Sequence, residues 1–240
     1  GLGLGALHAL DGRQARLHHA DEVVGDLVGG DRLAAEADIH GIDGLAAGIG
    51  AIAAFTFGLW FYNYNQISLC ILSFTLFSSL LAFLVYNFSP ANIFMGDTGS
   101  LIIGLILAIL AINFVELSFA SPPFAFPFRS SPAMAIAILI IPLFDTLRIF
   151  IVRVLQKKSP FKADRNHMHH VLLDLGLSHR GVSLSLYGVN ILFIMVALVL
   201  RDISSLILLL VLVMMAVVFS LTPFIIKSIT KAKPVDVKVF

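Results

Sequence analysis

The sequence predicts an all-α protein, a polytopic membrane helical bundle with about six transmembrane helices. Apolar residues make up 58% of the 240 residues and charged residues only 13%, whereas a soluble domain needs a far more polar surface. Six apolar stretches are each about 18 to 24 residues long, the length at which a helix crosses a bilayer. Because none of them alternates with a period of two, we predict helices rather than a β-barrel.

The segment at residues 1–40 differs in composition from the rest of the chain. It contains no Lys, Phe, Tyr or Asn, whereas the chain from about Ile49 onward is rich in Ile, Phe, Leu, Ser and Asn. Charged residues from Arg13 to Arg32 interrupt its apolar runs, so we predict that it lies outside the membrane. We interpret residues 1–40 as non-homologous or frame-shifted sequence, with a domain junction or a cloning scar as the alternatives.

The transmembrane region is predicted to cover residues 41–226. Its six spans are Gly44–Phe61, Ile67–Tyr86, Leu101–Phe119, Ala133–Val154, Ser183–Leu200 and Ser204–Ile226. The single cysteine, Cys70, lies within the second span. One cysteine excludes both a disulfide within the chain and a cysteine-based metal site.

Basic residues predict the orientation of the spans. They are concentrated in the loop between the fourth and fifth spans, which follows Arg153, and in a tail at residues 227–240. The positive-inside rule places both segments in the cytoplasm, so we predict a multi-pass protein of the inner (cytoplasmic) membrane. Two spans separate the basic loop from the loop at residues 87–99, and two more separate that loop from the entrance to the first span. All three segments are therefore predicted to lie at the cytoplasmic face. The formal net charge of +1 gives no indication of nucleic-acid binding.

A glycine-rich motif precedes the third span and centres on Asp97. It reads Asn-Ile-Phe-Met-Gly-Asp-Thr-Gly-Ser over residues 92–100. Small residues let backbone N–H groups approach an anion at a helix N-terminus, and a carboxylate at this position is suited to hold Mg²⁺ against a phosphate. The alternative is that Asp97 only caps the helix, and the spacing alone leaves both interpretations open.

A cluster of histidines lies in the basic loop after the fourth span. Residues 164–170 read Asp-Arg-Asn-His-Met-His-His. The surrounding positive charge and the lack of nearby Cys or Glu disfavour a transition-metal site, whereas imidazole and guanidinium groups are suited to bind a diphosphate. The alternative is an ordinary cytoplasmic loop with incidental histidines.

Two further aspartates are candidates for function. Asp43 lies in His-Gly-Ile-Asp-Gly-Leu-Ala-Ala-Gly at residues 40–48, although an Asp-Gly turn alone is a weak indication. Asp145 lies with Arg148 inside the fourth span, where charge is costly and therefore a functional candidate. Because the two are helical neighbours, a purely structural pair is an equally open interpretation.

Together these segments resemble the polyprenyl-phosphate N-acetylhexosamine-1-phosphate transferases (the WecA/TagO/MraY superfamily, glycosyltransferase family 4). The resemblance runs from about Gly41 to the C-terminus, in the family's order. It rests on Gly-Ile-Asp-Gly-Leu-Ala-Ala-Gly, Phe-Met-Gly-Asp-Thr-Gly-Ser, Pro-Leu-Phe-Asp and Ser-Pro-Phe-Lys-Ala-Asp-Arg-Asn-His-Met-His-His. The His-x-His-His pattern is similar to the N-acetylglucosamine-1-phosphate branch, whereas the branch that makes the peptidoglycan lipid precursor has three adjacent histidines.

The resemblance implies an enzyme that initiates cell-envelope polysaccharide synthesis. Such an enzyme transfers N-acetylglucosamine-1-phosphate, or a related N-acetylhexosamine-1-phosphate, from a UDP-sugar to undecaprenyl phosphate at the cytoplasmic face and releases UMP. The implied cofactor is Mg²⁺, with Mn²⁺ as an alternative. The implied partners are the UDP-sugar, undecaprenyl phosphate and membrane lipid, with a homodimer as an open alternative and no nucleic acid.

The resemblance also implies roles for individual residues. Asp97 is expected to be catalytic and a Mg²⁺ ligand, and Asp43 is expected to lie in the nucleotide and metal region. The expected catalytic residues are therefore Asp97, Asp43 and His167. The expected substrate-binding residues are Arg153, Asp164, Arg165, His169 and His170.

The chain departs from the family pattern at two points. Family members carry a paired-aspartate motif in upstream spans, associated with Mg²⁺ and with activation of the prenyl phosphate, and these 240 residues contain no Asp-Asp pair. Ala37 and His40 stand where the family has Asn and Asp. We therefore expect a truncated or frame-shifted chain with little or no transferase activity as it stands.

Two other classes of function stay open. A truncated, inactive homologue would bind nucleotide or lipid without turnover. A non-catalytic membrane transporter would use Asp145 and Arg148 in its pathway. Internal repeats between the two groups of three spans would support the transporter, and the sequence shows none.

Overall fold

The computed structural model describes residues 42–120, 130–157 and 168–231, and these residues are helical, with no strand among them. The predicted all-α membrane bundle is confirmed. In chain order the helices are α1 (Leu45–Asn63), α2 (Ile67–Asn87), α3 (Gly96–Ala120), α4 (Ser131–Ile138), α5 (Ile140–Leu155), α6 (Met168–Asp174), α7 (His179–Val199) and α8 (Ser205–Lys231).

Five of these helices are long and apolar enough to cross a membrane, namely α1, α2, α3, α7 and α8. The pair α4 and α5 makes a sixth span if the two are counted together. Large apolar side chains such as Val85, Leu101 and Val199 are more than 70% exposed on the outside of the bundle. Such a surface suits lipid rather than water, so the chain is a multi-pass membrane protein.

The fourth predicted span, Ala133–Val154, is wrong as a continuous helix. The chain bends by 82° between α4 and α5. Pro142 has no N–H to donate to the carbonyl of Ile138, so the backbone ladder is interrupted at this turn. The amide Nδ2 of the fully buried Asn190 lies 3.4 Å from that carbonyl and donates to it instead.

Helix α1 forms the centre of the packed region. In its most apolar stretch 61% of the residues are buried, against 17–39% in the other four spanning helices. Small residues allow close neighbours, since a Cβ on Gly58 would lie 3.2 Å from the ring of Phe74 in α2. Phe57 and Phe114 are fully buried, and their ring centroids are 5.7 Å apart across α1 and α3.

The helices alternate between two ends of the bundle, and hydrogen bonds identify them. One end contains Asp43, the loop at residues 88–95 and the start of α7, because the Ser183 hydroxyl donates to the Asp43 carbonyl at 2.8 Å. We call this the motif end. At the opposite end, the Ser130 hydroxyl donates to the carbonyl of Arg201 at 2.8 Å. The entrance to the first span and the loop at residues 87–99 therefore lie at the same end, as the span count predicts.

Candidate functional site

Asp43 connects three separate segments at the motif end. Its carboxylate Oδ2 accepts a hydrogen bond from the Ala91 N–H at 3.3 Å, and its carbonyl accepts one from Ser183. The following Gly44 has a φ of +75°, which favours glycine. A Cβ on Gly44 would also lie only 3.0 Å from the ring of Phe88. The Asp-Gly pair therefore fixes both the entrance to α1 and the loop beside it.

Asn87 anchors the loop at residues 88–95. It is buried, its Oδ1 accepts from the Gly44 N–H at 3.0 Å, and its Nδ2 donates to the Ile93 carbonyl at 2.7 Å. Exposed Arg180 adds a contact from the start of α7, where its Nε donates to the Ser89 carbonyl. This loop leads directly into the turn that carries Asp97.

Tyr187 of α7 explains Gly48, the glycine that ends the motif at residues 40–48. Its hydroxyl donates to the Gly44 carbonyl at 2.5 Å. Its ring occupies the space next to Gly48, where an added Cβ would lie 2.0 Å from ring and hydroxyl atoms. The spacing of Gly44 and Gly48 therefore follows from one turn and one close helix contact.

Asp97 lies in the first turn of α3, directly after Gly96 with its φ of +64°. The residue is exposed, and its backbone carbonyl accepts from the Ser100 hydroxyl at 2.9 Å. Within the described part of the chain its carboxylate makes no hydrogen bond or ion pair. The structure therefore does not support the interpretation of Asp97 as a simple helix cap, since a cap accepts from a backbone N–H of the first turn.

Part of the predicted histidine cluster can be located. His169 and His170 belong to α6, whereas Asp164, Arg165 and His167 lie outside the described residues. The buried Met168 packs in one apolar cluster with Ile42, Val182 and Leu186. Helix α6 is thereby held at the start of α1, next to Asp43.

A small cavity of about 40 Å³ lies between α1, α5, α6, α7 and α8. Its lining includes Leu45, Asp145 and the half-buried His169. Arg153 lies on the same helix as Asp145, roughly 12 Å further along at 1.5 Å per residue. It is buried in the last turn of α5 and does not line this cavity.

Asp145 and Arg148 form the predicted pair within one helix. The Asp145 Oδ1 lies 3.7 Å from Arg148 Nη2, and the side chains are 17% and 15% exposed. The same Oδ1 accepts from the Met168 N–H at 3.0 Å. The ion pair is confirmed, and Asp145 also accepts a hydrogen bond from the first residue of α6.

Comparison with known proteins gives the family. Residues 38–115 match the family model described as glycosyl transferase family 4. A probable undecaprenyl-phosphate N-acetylglucosaminyl 1-phosphate transferase of Bacillus subtilis is 38% identical over 164 residues, which is 68% of this chain and 44% of that protein. The chain belongs to glycosyl transferase family 4. The resemblance drawn from the motifs is thereby confirmed.

Two further relatives of this family 4 chain are more distant. A decaprenyl-phosphate N-acetylglucosaminephosphotransferase of Mycobacterium leprae is 35% identical over 160 residues, covering 62% of this chain and 40% of that protein. An undecaprenyl-phosphate alpha-N-acetylglucosaminyl 1-phosphate transferase of Escherichia coli is 30% identical over 146 residues, with 59% and 38% covered. The chain thus spans less than half the length of these relatives. No solved structure matches it.

Sequence reasoning missed three residues that build this family 4 site. Asn87, Ser183 and Tyr187 hold the segment around Asp43 in place. A polar residue at the end or start of an apolar run is the signal that marks Asn87 and Ser183. Nothing in the sequence pairs Tyr187 with Gly48, because that contact joins helices far apart in the chain.

Proposed function

We propose that this chain forms the UDP-sugar and metal side of a transferase at the cytoplasmic face of the membrane. In the proposed reaction an oxygen of undecaprenyl phosphate attacks the sugar-bearing phosphorus of a UDP-N-acetylhexosamine. The bond from that phosphorus to the bridging oxygen breaks, and UMP leaves. The exposed Asp97 carboxylate carries the proposal, because it stands unpaired among the described residues at the end where the motifs meet.

The donor set around Asp97 fits Mg²⁺ held jointly with a substrate. No three His, Cys, Asp or Glu side chains come together as a metal cage in the described ranges. Mg²⁺ is commonly held by one or two carboxylates together with substrate phosphates and water, so one exposed carboxylate suits it. When bound, Mg²⁺, or Mn²⁺ as the alternative, supplies neutralisation of the diphosphate charge.

The remaining residues are assigned roles of binding and positioning. Asp43 holds the loop at residues 88–95 through Ala91 and thereby sets the turn that presents Asp97. His169 and His170, on the helix beside Asp43, are proposed to bind the UDP-sugar diphosphate. His167 is proposed to act in catalysis beside them. Arg153, Asp164 and Arg165 are proposed as further substrate-binding residues.

The first experiment measures nucleotide binding by the chain itself in lipid nanodiscs. We expect UDP-N-acetylglucosamine to bind in a Mg²⁺-dependent manner, and Asp97→Asn to remove the Mg²⁺ dependence. Asp202→Asn is the matched control, since Asp202 is an exposed aspartate at the opposite end that pairs with Arg201 at 3.9 Å. Absence of nucleotide binding by folded protein would contradict the proposed function.

Turnover is tested in a chimera, because the chain contains no Asp-Asp pair and is expected to turn over little alone. The upstream half of the Bacillus subtilis relative is joined ahead of residue 42 of this chain. With undecaprenyl phosphate and Mg²⁺, we expect UMP release that drops by about 100-fold or more in Asp97→Asn, the scale of losing an electrostatic group of the reaction. Equal rates in the Asp97 and Asp202 variants would reject the assignment of Asp97.

A further inference from the structure

Helix α5 is apolar on the outside and charged on the inside. Its large apolar side chains are about half exposed on one face, as at Leu143, Leu147 and Ile151. Asp145 and Arg148 are less than one-fifth exposed on the inner face. Charged groups in a membrane protein normally face the interior of the bundle when they have a role there, and Asp145 contacts α6 in addition to its ion pair.

The Asp145 carboxylate holds the first residue of α6. Its Oδ1 accepts from the Met168 N–H at 3.0 Å, and Met168 begins that helix. The first N–H groups of a helix have no partner within the helix, so the carboxylate satisfies one of them. A hydrogen bond to an ionised acceptor is roughly twice as strong as a neutral one. The next two residues of α6 are His169 and His170.

The break between α4 and α5 sets the direction of α5 and hence the place of Asp145. Pro142 interrupts the backbone ladder, and the buried Asn190 donates to the Ile138 carbonyl that Pro142 leaves unbonded. Asp145 lies in the second turn after the break, and it lines the same cavity as His169.

We infer that Asp145 is a positioning residue: through the Met168 N–H it fixes α6 so that His169 binds the phosphate of the donor nucleotide that lies distal to the uridine. This inference rests on the proposed function for its substrate. The geometric part, that Asp145 anchors α6, stands independently of any substrate. The two parts therefore need two separate measurements.

The first measurement is hydrogen–deuterium exchange of the α6 backbone in nanodiscs, read by mass spectrometry. We expect Asp145→Ala to speed exchange of the Met168 amide by about 10- to 100-fold, the range for losing a hydrogen bond to a charged group. Asp145→Asn keeps an oxygen acceptor and is expected to restore protection to within about threefold. Exchange in α2, measured in the same sample, reports whether the bundle is intact.

The second measurement compares the affinities of UDP and UMP in the presence of Mg²⁺. We expect Asp145→Ala to weaken UDP binding by about tenfold and UMP binding by less than about threefold, because only UDP carries the distal phosphate. General damage to the fold would weaken both nucleotides equally. Asp202→Ala, at the opposite end, is the matched control and is expected to change neither affinity.

Each outcome decides one part. Unchanged Met168 exchange in Asp145→Ala, with α2 intact, overturns the anchoring. Equal losses for UDP and UMP overturn the role toward the distal phosphate. If the unsubstituted chain binds neither nucleotide, the proposed function fails while the exchange result still decides whether Asp145 anchors α6. If Asp145→Ala does not fold, Asp145→Leu, which is similar in size and carries no acceptor, replaces it in the exchange measurement with the same expected result.

Discussion

The two ends of the bundle are built by different means, although the same helices reach both. At the motif end, polar contacts connect segments far apart in the chain, such as the Ser183 hydroxyl with the Asp43 carbonyl, 140 residues away. At the opposite end, an aromatic group dominates, in which Trp60 stacks on Tyr64 at 3.9 Å and meets Phe114 edge-on at 4.5 Å. Two hydrogen bonds of serine hydroxyls join distant segments there as well, from Ser130 to the Arg201 carbonyl at 2.8 Å and from the Ala133 N–H to Ser205 at 3.4 Å.

Apolar contacts and hydrogen bonds therefore have different roles in this bundle: the former stabilise it, and the latter fix the geometry of a site. Apolar contacts are non-directional and stabilise a bundle without fixing one loop geometry. Hydrogen bonds have narrow ranges of distance and angle, so they fix the backbone around Asp43 and before Asp97. A site for a phosphate and a cation needs such fixed geometry. The comparison predicts that matched substitutions at the two ends differ in their effect on nucleotide binding.

The largest effect on stability is expected from Gly48→Ala at the motif end. The added Cβ would lie 2.0 Å from Tyr187 atoms, so Tyr187 must move and give up its bond to the Gly44 carbonyl. Overpacking of this kind costs about 1–3 kcal/mol. Chemical unfolding in detergent micelles measures the loss, and UDP affinity is expected to fall with it.

Gly104→Ala is the control for this substitution. Among the described residues, no atom beyond the adjoining backbone of its own helix lies within 4 Å of the position of its Cβ, and alanine is the better helix former by about 0.5–1 kcal/mol. We expect unchanged or slightly raised stability. If the two alanine variants unfold alike, the close packing of α7 on α1 does not matter for the motif end.

An effect of similar size but more local is expected from Asn87→Ala. It leaves the buried Gly44 N–H without its acceptor and frees the Ile93 carbonyl, which costs about 1–3 kcal/mol. Amide exchange in the loop at residues 88–95 is expected to rise, and UDP affinity to fall. Asn63 at the opposite end provides the control, since in the described part of the chain its exposed amide donates to the Leu59 carbonyl one turn back and to no distant segment. Asn63→Ala is expected to leave UDP affinity unchanged, and a matching loss there would refute the distinction between the ends.

The sequence predicted the positions of the spans and of two site residues, but it did not establish the chemistry of the site. Apolar length alone identified five spanning helices, because a bilayer requires about 20 apolar residues. The glycine motifs pointed to Asp43 and Asp97, because each aspartate adjoins a glycine in a tight turn. Gly44 and Gly96 both have a positive φ, which favours glycine. The metal, the substrate and the roles of the histidines stay predictions.

The break in the fourth span shows what the sequence could not supply. Pro142 was visible, but proline is tolerated in spanning helices when neighbours bond the freed groups. Whether the helix kinks slightly or turns by 82° depends on where Asn190 lies, and Asn190 is 52 residues from Ile138. The contact between Asp145 and Met168 joins residues that are 23 positions apart on either side of a loop. Apolar runs and spacing therefore could not predict it.

Two buried serines, one at each end, allow the most closely matched pair of substitutions. Ser183 at the motif end and Ser130 at the opposite end are both fully buried, and each hydroxyl donates to a backbone carbonyl at 2.8 Å. Replacement of either by alanine removes one hydrogen bond and is expected to cost about 0.5–1.5 kcal/mol. Unfolding measurements should therefore hardly distinguish the two variants.

Nucleotide binding should distinguish them, because only Ser183 holds the Asp43 carbonyl. We expect Ser183→Ala to weaken UDP binding by about two- to tenfold, the equivalent of the lost hydrogen bond, and Ser130→Ala to leave it unchanged. Calorimetry in nanodiscs measures both affinities. Equal affinities in the two variants would mean that the polar contacts at the motif end only stabilise the bundle, and that the position of Asp43 is set by apolar packing around Ile42.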